Sequence, residues 1–412
     1  MNGWTGGQYS VFRVLFGLFL VVHFASLIRW GTELFSERGV LPRGSVSPLL
    51  HLFPNVLAVA DGPPVVAALL VFGTIAGLLF AAGLYDRTAA VVAWYVLTCV
   101  FGRNPLIANP ALPFVGWMLL AHAFLPPAPY GSLAARGRAD PGAGWRMPQP
   151  LFLAAWIVMA TGYSYSGCCK LVSPSWVDGS AVARVLDNPL ARPGHLREML
   201  LSVPPALLKI ATWCGLGLEL LYAPLALFRR VRPWIWWLMV GMHLGLLATI
   251  DFAELTLGML LVHAFTFDPA WLSPSPAAGK DTVFYDGHCG LCHRFVRFAV
   301  AEDGTGDCFE FAPLQGAYVR TRLTLPERAG LPDSVVVRTA QGELLVRSAA
   351  MRRVLRRLGG VWRGVAAVAR LLPSAFLDWF YDGVARLRRW MFDRPDEICP
   401  LLPPQLRERF HS

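Results

Sequence analysis

The sequence has few charged residues for its length. Asp, Glu, Lys and Arg make up 16% of the 412 residues, whereas an ordinary soluble chain carries about 25%. Hydrophobic residues make up 55%. A chain with so little charge cannot face water over its whole surface, which excludes an ordinary soluble protein and indicates contact with lipid.

Two further features are missing. The first apolar run, residues 9–28, is neither preceded by a basic segment nor followed by an A-x-A-like site, so we expect it to be kept as a first membrane helix rather than removed as a signal peptide. The sequence also has no second CxxC beside the one at 289–292. The net charge of +10 is expected to lie against anionic lipid, and nucleic-acid binding is not expected.

Eight apolar stretches resemble membrane helices, which need about 20 apolar residues to cross a bilayer. They are residues 9–28, 64–84, 89–101, 111–125, 151–171, 205–228, 233–250 and 255–267. We therefore predict an all-α polytopic membrane bundle of about eight transmembrane helices over residues 1–268. Arg229, Arg230 and Arg232 lie in the shortest loop. By the positive-inside rule they predict a cell (inner or plasma) membrane protein with both termini in the cytoplasm.

The pattern changes after residues 269–280, a Pro-, Ala- and Ser-rich stretch that we interpret as a linker. Short strands are predicted at 281–285, 308–311, 334–338 and 343–346, with helices at 289–300 and 349–358. Strand–CxxC–helix–strand followed by a hairpin and a helix is the order of a thioredoxin-like α/β domain, here over 281–412. The aromatic and Arg-rich residues 361–392 predict C-terminal amphipathic helices, which either lie along a membrane surface or pack as ordinary domain helices.

The pair Cys289 and Cys292 is the strongest candidate for chemistry. It follows a predicted strand and opens a helix, where unpaired N–H groups and the helix dipole stabilise a thiolate. We expect Cys289, at the helix mouth, to attack as the nucleophile. Cys292, one turn further on, is expected to resolve the mixed disulfide.

Three other interpretations of this segment stay open. C-G-L-C-H is also the attachment pattern of c-type haem, with His293 as axial ligand, although haem attachment requires export. A zinc site would need further ligands from His288, His293, Cys308 or Cys399. The pair could also be chemically inert. We predict no metal site.

Four stretches of the C-terminal part resemble the DCC family of predicted thiol-disulfide oxidoreductases, named for a D-x-x-C-x-x-C motif. Here the motif is Asp286, Cys289 and Cys292. The resemblance implies a thioredoxin-like fold and dithiol chemistry in which these three residues are catalytic, and it implies no particular substrate. The stretches are YDGHCGLC (285–292), FAPLQG (311–316), 333–360 and 379–410.

Ionisable residues inside the apolar part are costly and usually functional. Lys170 is a candidate base in an apolar site; alternatively it lies at a helix end and extends its ammonium group to the interface. Glu219 and His243 fall in the middle of apolar stretches. They either take part in function or form interhelical hydrogen bonds.

The same part of the chain resembles the HTTM membrane domain, the bacterial relative of vitamin-K-dependent gamma-carboxylase. The most specific stretch is GCCKL…SW.DG at 167–179. The resemblance implies that Lys170 matches the lysine that activates vitamin K hydroquinone. It also implies that Lys170, Trp176, Glu219 and His243 bind a quinone or hydroquinone. The other similar stretches are 9–42, 84–107, 216–228 and 242–247.

Two departures separate this chain from the carboxylase. Cys169 replaces the first lysine of the carboxylase pair, and Arg103-Asn104-Pro105 replaces an Asn-His pair. The large C-terminal carboxylase domain is also missing. Carboxylation of protein glutamate is therefore not expected.

Together, these features predict a membrane-bound thiol-disulfide oxidoreductase of the protein-disulfide reductase type. Its dithiol would exchange electrons with a lipid quinone, a thiol or disulfide protein, or a small-molecule thiol. One alternative is a hydroquinone-dependent epoxidase or carboxylase with the CxxC domain as its reductant. Another is a non-catalytic membrane anchor or scaffold.

Overall fold

The computed structural model describes residues 2–107, 109–272, 279–331, 334–391 and 403–411. It divides into two compact units. The α/β unit consists of Met1–Val11, Pro126–Met147 and Asp268–Ser412, and the helical unit consists of Phe12–Leu125 and Pro148–Phe267. The α/β unit is thus assembled from three separate stretches of chain.

Thirteen α-helices precede the first strand in the described part of the chain. Their bounds are Gly6–Ile28 (α1), Gly31–Phe35 (α2), Pro63–Ala82 (α3), Asp86–Arg103 (α4), Leu112–Ala123 (α5), Gln149–Lys170 (α6), Pro174–Val177 (α7), Ala181–Leu186 (α8), His195–Leu201 (α9), Pro205–Leu220 (α10), Tyr222–Ala226 (α11), Arg232–Thr249 (α12) and Ala253–Thr266 (α13).

Three of the described helices, α1, α3 and α6, are long and apolar enough to cross a membrane, which indicates a membrane protein. The helices α9 and α10 meet at 102° and would add a fourth span only if taken as one broken span. The prediction of eight spans is therefore not supported. The apolar helices α5 and α13 are too short, with 12 and 14 residues, and α4 carries Asp86, Arg87 and Arg103 near its ends.

The predicted span 205–228 is interrupted near Leu221, where α10 ends and α11 begins. Pro224 has no N–H to donate to the carbonyl of Leu220, so a continuous helix would leave that carbonyl unpaired. Ser164 of α6 compensates: its hydroxyl donates to the carbonyls of Glu219 (3.2 Å) and Leu220 (3.1 Å). It also accepts the N–H of Ala223 at 2.9 Å. The break therefore lies against α6.

Arg103 is not a solvated loop residue. Its side chain is completely buried, and it forms an ion pair with Asp61 at 2.8 Å. A buried, paired arginine carries little weight in an orientation argument based on loop charge. The predicted cytoplasmic location of both termini remains a prediction.

Among its described residues, the α/β unit contains a four-stranded sheet and, after β1, seven α-helices. In chain order the elements are Asp281–Tyr285 (β1), Gly290–Glu302 (α14), Phe309–Pro313 (β2), Ala317–Arg322 (α15), Leu325–Ala329 (α16), Val336–Arg338 (β3), Leu344–Val346 (β4), Arg347–Leu358 (α17), Gly360–Ala369 (α18), Ser374–Met391 (α19) and Pro404–Arg407 (α20). The predicted strands and the helices at 289–300 and 349–358 are found in the predicted order, with small shifts at the boundaries, and two short helices that were not predicted, α15 and α16, lie between β2 and β3.

The strand order is β2-β1-β3-β4. The strands β1 and β2 are parallel, with Val283 opposite Phe311, and α14 forms the crossover that a parallel pair requires. The remaining pairs, β1 with β3 and β3 with β4, are antiparallel. The β3–β4 connection turns at Gly342, whose φ of 92° suits glycine.

Alternation along β1 divides its side chains between two cores. Phe284 packs on one face with Ala312, Val319, Leu323 and Val336. Val283 and Tyr285 face the other side, where α14 and α17 cover the sheet. Cys289 and Cys292 belong to this second core, so the fold holds the dithiol against the sheet.

The predicted amphipathic tail forms α18 and α19. The inner face of α19 makes hydrogen bonds with the rest of the unit: the Tyr381 hydroxyl accepts the N–H of Val335 at 2.9 Å, and Asp378 accepts the N–H of Ser348 at 3.2 Å. The side chains of Arg388, Arg389 and Trp390 lie outside the described part. The inner face of α19 thus packs as an ordinary domain helix.

Asp281 ties the start of β1 to α17. Its carboxylate is completely buried and accepts hydrogen bonds from Arg353 Nε (2.7 Å) and from a terminal guanidinium nitrogen of the same arginine (3.1 Å). It also accepts the N–H of Ala340 at 2.9 Å. Such two-pronged pairs are strong and geometrically specific.

We predict that Asp281→Ala destabilises the α/β unit by about 3–5 kcal/mol, because removing one partner leaves a buried guanidinium without its counter-ion. The measurement is urea unfolding of the purified full chain. Unfolding of residues 281–411 is monitored by their cleavage with a protease at each urea concentration. The exposed Asp307 provides a matched control, since Asp307→Ala should change stability by less than about 0.5 kcal/mol. Equal stability of the two variants would show that the Asp281 pair has no structural role.

Candidate active site: the Cys289–Cys292 turn

The chain leaves β1 at Tyr285 and enters α14 at Gly290, so the CxxC lies at a strand-to-helix turn. Cys289 is the N-cap residue, with φ −114° and ψ 113°, and its Sγ accepts the N–H of Cys292 at 3.4 Å. No acidic residue occupies the first turn of α14. Sulfur at this position faces the positive end of the helix, which favours the thiolate form.

Both sulfurs are shielded from bulk water. Cys289 is 8% exposed and Cys292 is 3% exposed. Cys289 is thus the more accessible of the two, as the predicted roles of attacking and resolving cysteine require.

Asp286 shapes the turn. One of its carboxylate oxygens accepts the N–H of His288 at 3.0 Å and the side-chain amide of Gln315 at 2.8 Å. The Gln315 carbonyl oxygen in turn accepts the N–H of Gly287 at 3.0 Å. Asp286 therefore positions the backbone just before Cys289, and no hydrogen bond between Asp286 and either sulfur is seen among the described contacts.

His293, the axial ligand of the haem interpretation, has a contact inside the domain. Its Nε2 lies 2.9 Å from the carbonyl oxygen of Gly287, and the ring meets Tyr285 edge to face at 5.9 Å. The imidazole thus joins α14 to the turn that precedes it.

Cys308 does not have the properties of a third redox thiol. Burial raises the pKa of its thiol to about 12, with a further contribution from Asp303. Its Sγ donates to the carbonyl of Arg357 at 3.4 Å. The thiol is therefore protonated at neutral pH and a poor nucleophile.

Among the residues that the structure describes, no three His, Cys, Asp or Glu side chains are grouped so that they could hold a metal ion. The zinc interpretation invoked Cys399, which lies outside the described residues. The remaining candidates, His288, His293 and Cys308, do not form such a group.

Three of the four residues predicted to bind a quinone converge in the helical unit. The Lys170 ammonium group donates to both carboxylate oxygens of Glu219 and lies 4.5 Å from the centroid of the Trp176 ring. Lys170 is at the end of α6, but its side chain is only 23% exposed. It is thus held by a buried carboxylate rather than extended into water.

His243, the fourth of these residues, belongs to a polar cluster that the sequence argument did not identify. The Tyr163 hydroxyl lies 2.6 Å from Nε2 of His243 and 2.8 Å from Nε2 of His263. Tyr163 was missed because its partners, His243 and His263, lie 80 and 100 residues further along the chain. Gln315 was missed because it follows Asp286 by 29 residues and reaches it only because β2 ends beside the end of β1.

We predict that Asp286→Ala slows alkylation of Cys289 about tenfold, because loss of an acceptor shared by two donors costs about 1–2 kcal/mol and loosens the turn. Asp286→Asn keeps one acceptor oxygen in place, so its rate of Cys289 alkylation should fall by less. The rate is read by iodoacetamide labelling of the full chain followed by peptide mass spectrometry. Equal rates in Asp286→Ala and the unsubstituted chain would contradict a positioning role.

Comparison with known proteins agrees with this geometry. A family model described as DCC1-like thiol-disulfide oxidoreductase matches residues 283–394, which include both cysteines. The chain is also 31% identical over 132 residues to a Bacillus subtilis (strain 168) protein named "Uncharacterized protein YuxK", covering 31% of this chain and 91% of that protein. No solved structure matches the chain. The HTTM resemblance lies outside the family match and remains a prediction. Through its C-terminal part, the chain belongs to the DCC1-like thiol-disulfide oxidoreductase family.

Proposed function

We propose that the protein is a membrane-bound thiol-disulfide oxidoreductase of the cell membrane, with both termini in the cytoplasm and a thioredoxin-like α/β domain. The placement of Cys289 as the N-cap of α14, one turn from Cys292, carries the proposal. Its partners would be a thiol or disulfide protein, or a small-molecule thiol, on one side of the reaction. A lipid quinone would exchange electrons on the other side.

The proposed exchange runs in two steps. The Cys289 thiolate attacks one sulfur of a substrate disulfide, the substrate S–S bond breaks, and the released thiolate takes a proton. The thiolate of Cys292 then attacks Cys289 Sγ, which frees the second substrate thiol and leaves a Cys289–Cys292 disulfide. Two electrons pass from the pair to the substrate, and the reverse sequence oxidises substrate thiols.

The roles of the two cysteines can be separated by trapping. We predict that Cys292→Ser accumulates a mixed disulfide through Cys289, because the resolving thiol is gone, whereas Cys289→Ser forms none. The measurement is a non-reducing gel with mass spectrometry after incubation with an excess of a peptide disulfide. Cys308→Ser is the matched control and should behave as the unsubstituted chain does. Trapping in Cys289→Ser alone would reverse the assignment.

A second candidate function is supported by the Lys170–Glu219–Trp176 arrangement. An ion pair next to an aromatic ring, within apolar helices, suits a site that binds a hydroquinone and takes a proton from its hydroxyl group. This would be the hydroquinone-dependent activity implied by the HTTM resemblance. Dioxygen would be the oxidant of the hydroquinone, and the dithiol would supply the two electrons and two protons that reduce the resulting quinone to hydroquinone again.

We predict that Lys170→Met abolishes hydroquinone consumption by the purified chain but leaves dithiol exchange with hydroxyethyl disulfide within about twofold, since Lys170 is not needed for thiol chemistry. Lys209→Met, at an exposed lysine, is the control. Lys170→Met alone leaves the buried Glu219 carboxylate without its partner, which could unfold the chain. The double variant Lys170→Met/Glu219→Gln removes that charge as well, so a folded but inactive double variant shows that the loss of activity comes from the loss of Lys170. If Lys170→Met and the double variant both still consume hydroquinone, this second function is wrong.

A further inference from the structure

A cavity of about 350 Å³ reaches the dithiol inside the α/β unit. We name it the Cys292 cavity, after the redox cysteine in its wall. It lies between α14, α17 and α19. Among the side chains that form it are Cys292, Phe295, Leu355, Leu377, Phe380 and Val384.

The wall is almost entirely apolar, with Arg352 as its one basic member. The Arg352 Nε is buried and has no hydrogen-bond partner among the described residues. An apolar wall with a few polar side chains, Ser348, Arg352 and Tyr381, suits a ligand that is mostly apolar and carries a carbonyl or similar acceptor. The volume falls at the small end of the range for small-molecule pockets, roughly 300–1,000 Å³.

The surface around the cavity is suited to lipid. Phe380 lines the cavity and is itself 61% exposed, so one wall also faces outward. Large apolar side chains on α18, on α19 and in the turn between them are exposed as well, among them Val368, Leu371, Phe376, Trp379 and Leu387. Arg370 and Arg386 are exposed near them. Aromatic and aliphatic side chains flanked by arginines are typical of helices that rest on an anionic bilayer.

We propose that the Cys292 cavity binds the ring of a lipid-soluble quinone and that the dithiol reduces the quinone there. The inference rests on the proposed dithiol function and names its electron acceptor and the place where the two meet. Cys289 and Cys292 lose two S–H protons and two electrons and form an S–S bond. The quinone takes both electrons and both protons and becomes the hydroquinone, so the exchange balances without a further reagent.

The observations favour a quinone over a peptide substrate. A peptide disulfide would be expected to approach the more exposed Cys289, whereas the cavity reaches the deeper Cys292. The chain has helices that can cross a membrane, where lipid-soluble quinones are two-electron carriers. A mostly apolar wall also favours an apolar acceptor over a hydrophilic thiol in this cavity.

The proposal is tested with a substitution on α19 that fills the cavity. Ala385 lies in the wall, and Ala375 is exposed on the same helix outside it, so Ala385→Trp and Ala375→Trp form a matched pair. The purified full chain in lipid nanodiscs is reduced, freed of reductant and mixed with decyl-ubiquinone. Quinone loss is followed by absorbance, and the redox state of the pair by alkylation mass shift.

We expect Ala385→Trp to slow quinone reduction by at least about tenfold, because an indole fills the binding space. Ala375→Trp should match the unsubstituted chain. Both variants should keep exchange with hydroxyethyl disulfide within about twofold, which reports an intact dithiol. An azido-quinone should label the peptide 374–391 of the unsubstituted chain, a result that does not depend on any variant folding.

Different failures have different meanings. If the unsubstituted chain reduces hydroxyethyl disulfide but not decyl-ubiquinone, the quinone inference is overturned and the dithiol function stands. Quinone reduction that survives Ala385→Trp but not Lys170→Met, or azido-quinone label confined to the helical unit, would move the site to Lys170 and overturn the cavity assignment. A chain inactive towards both acceptors would overturn the proposed function itself.

Discussion

The interaction between the Cys289 sulfur and the N-terminus of α14 is the one on which the chemistry of this protein depends. That N-terminus lies where β1 ends, because a parallel pair of strands joined by a helix brings the helix N-terminus to the carboxyl end of the first strand. Cys289 caps that terminus, and its sulfur accepts the N–H of Cys292. Asp286, Gln315 and His293 hold the preceding turn, so several contacts maintain one backbone geometry for a single sulfur atom.

The scarcity of charge makes each buried ionic group important. Lys170 with Glu219, Arg103 with Asp61, and Arg353 with Asp281 are ion pairs in largely buried settings. A lone charge at any of these places would be costly, and pairing offsets the cost of removing both groups from water. The first pair lies beside the break between α10 and α11, where the backbone needs partners from another helix.

Local pattern was sufficient for most of the α/β unit. The strand at 281–285, the CxxC at a helix start and the hairpin formed by β3 and β4 each depend on neighbouring residues, and each was predicted where the structure has it. The membrane part was harder, because apolar composition does not show where a helix breaks. Pro224 and Ser164 decide that break through a contact between helices, and Arg103 becomes buried only through its pairing with Asp61. Likewise, Tyr163 and Gln315 acquire their roles from tertiary contacts that no local pattern contains.

Dithiol chemistry at Cys289 and Cys292 is the central claim, and a redox titration tests it most directly. The full chain in detergent is equilibrated across a series of thiol–disulfide buffers, and the fraction of the pair protected from alkylation is read by mass shift, with a visible spectrum of each sample. The account predicts one reversible two-electron couple, with a slope of about 30 mV per tenfold change in ratio, confined to Cys289 and Cys292 and without haem absorption. A pair that never titrates, or a Soret band in the same sample, would contradict it.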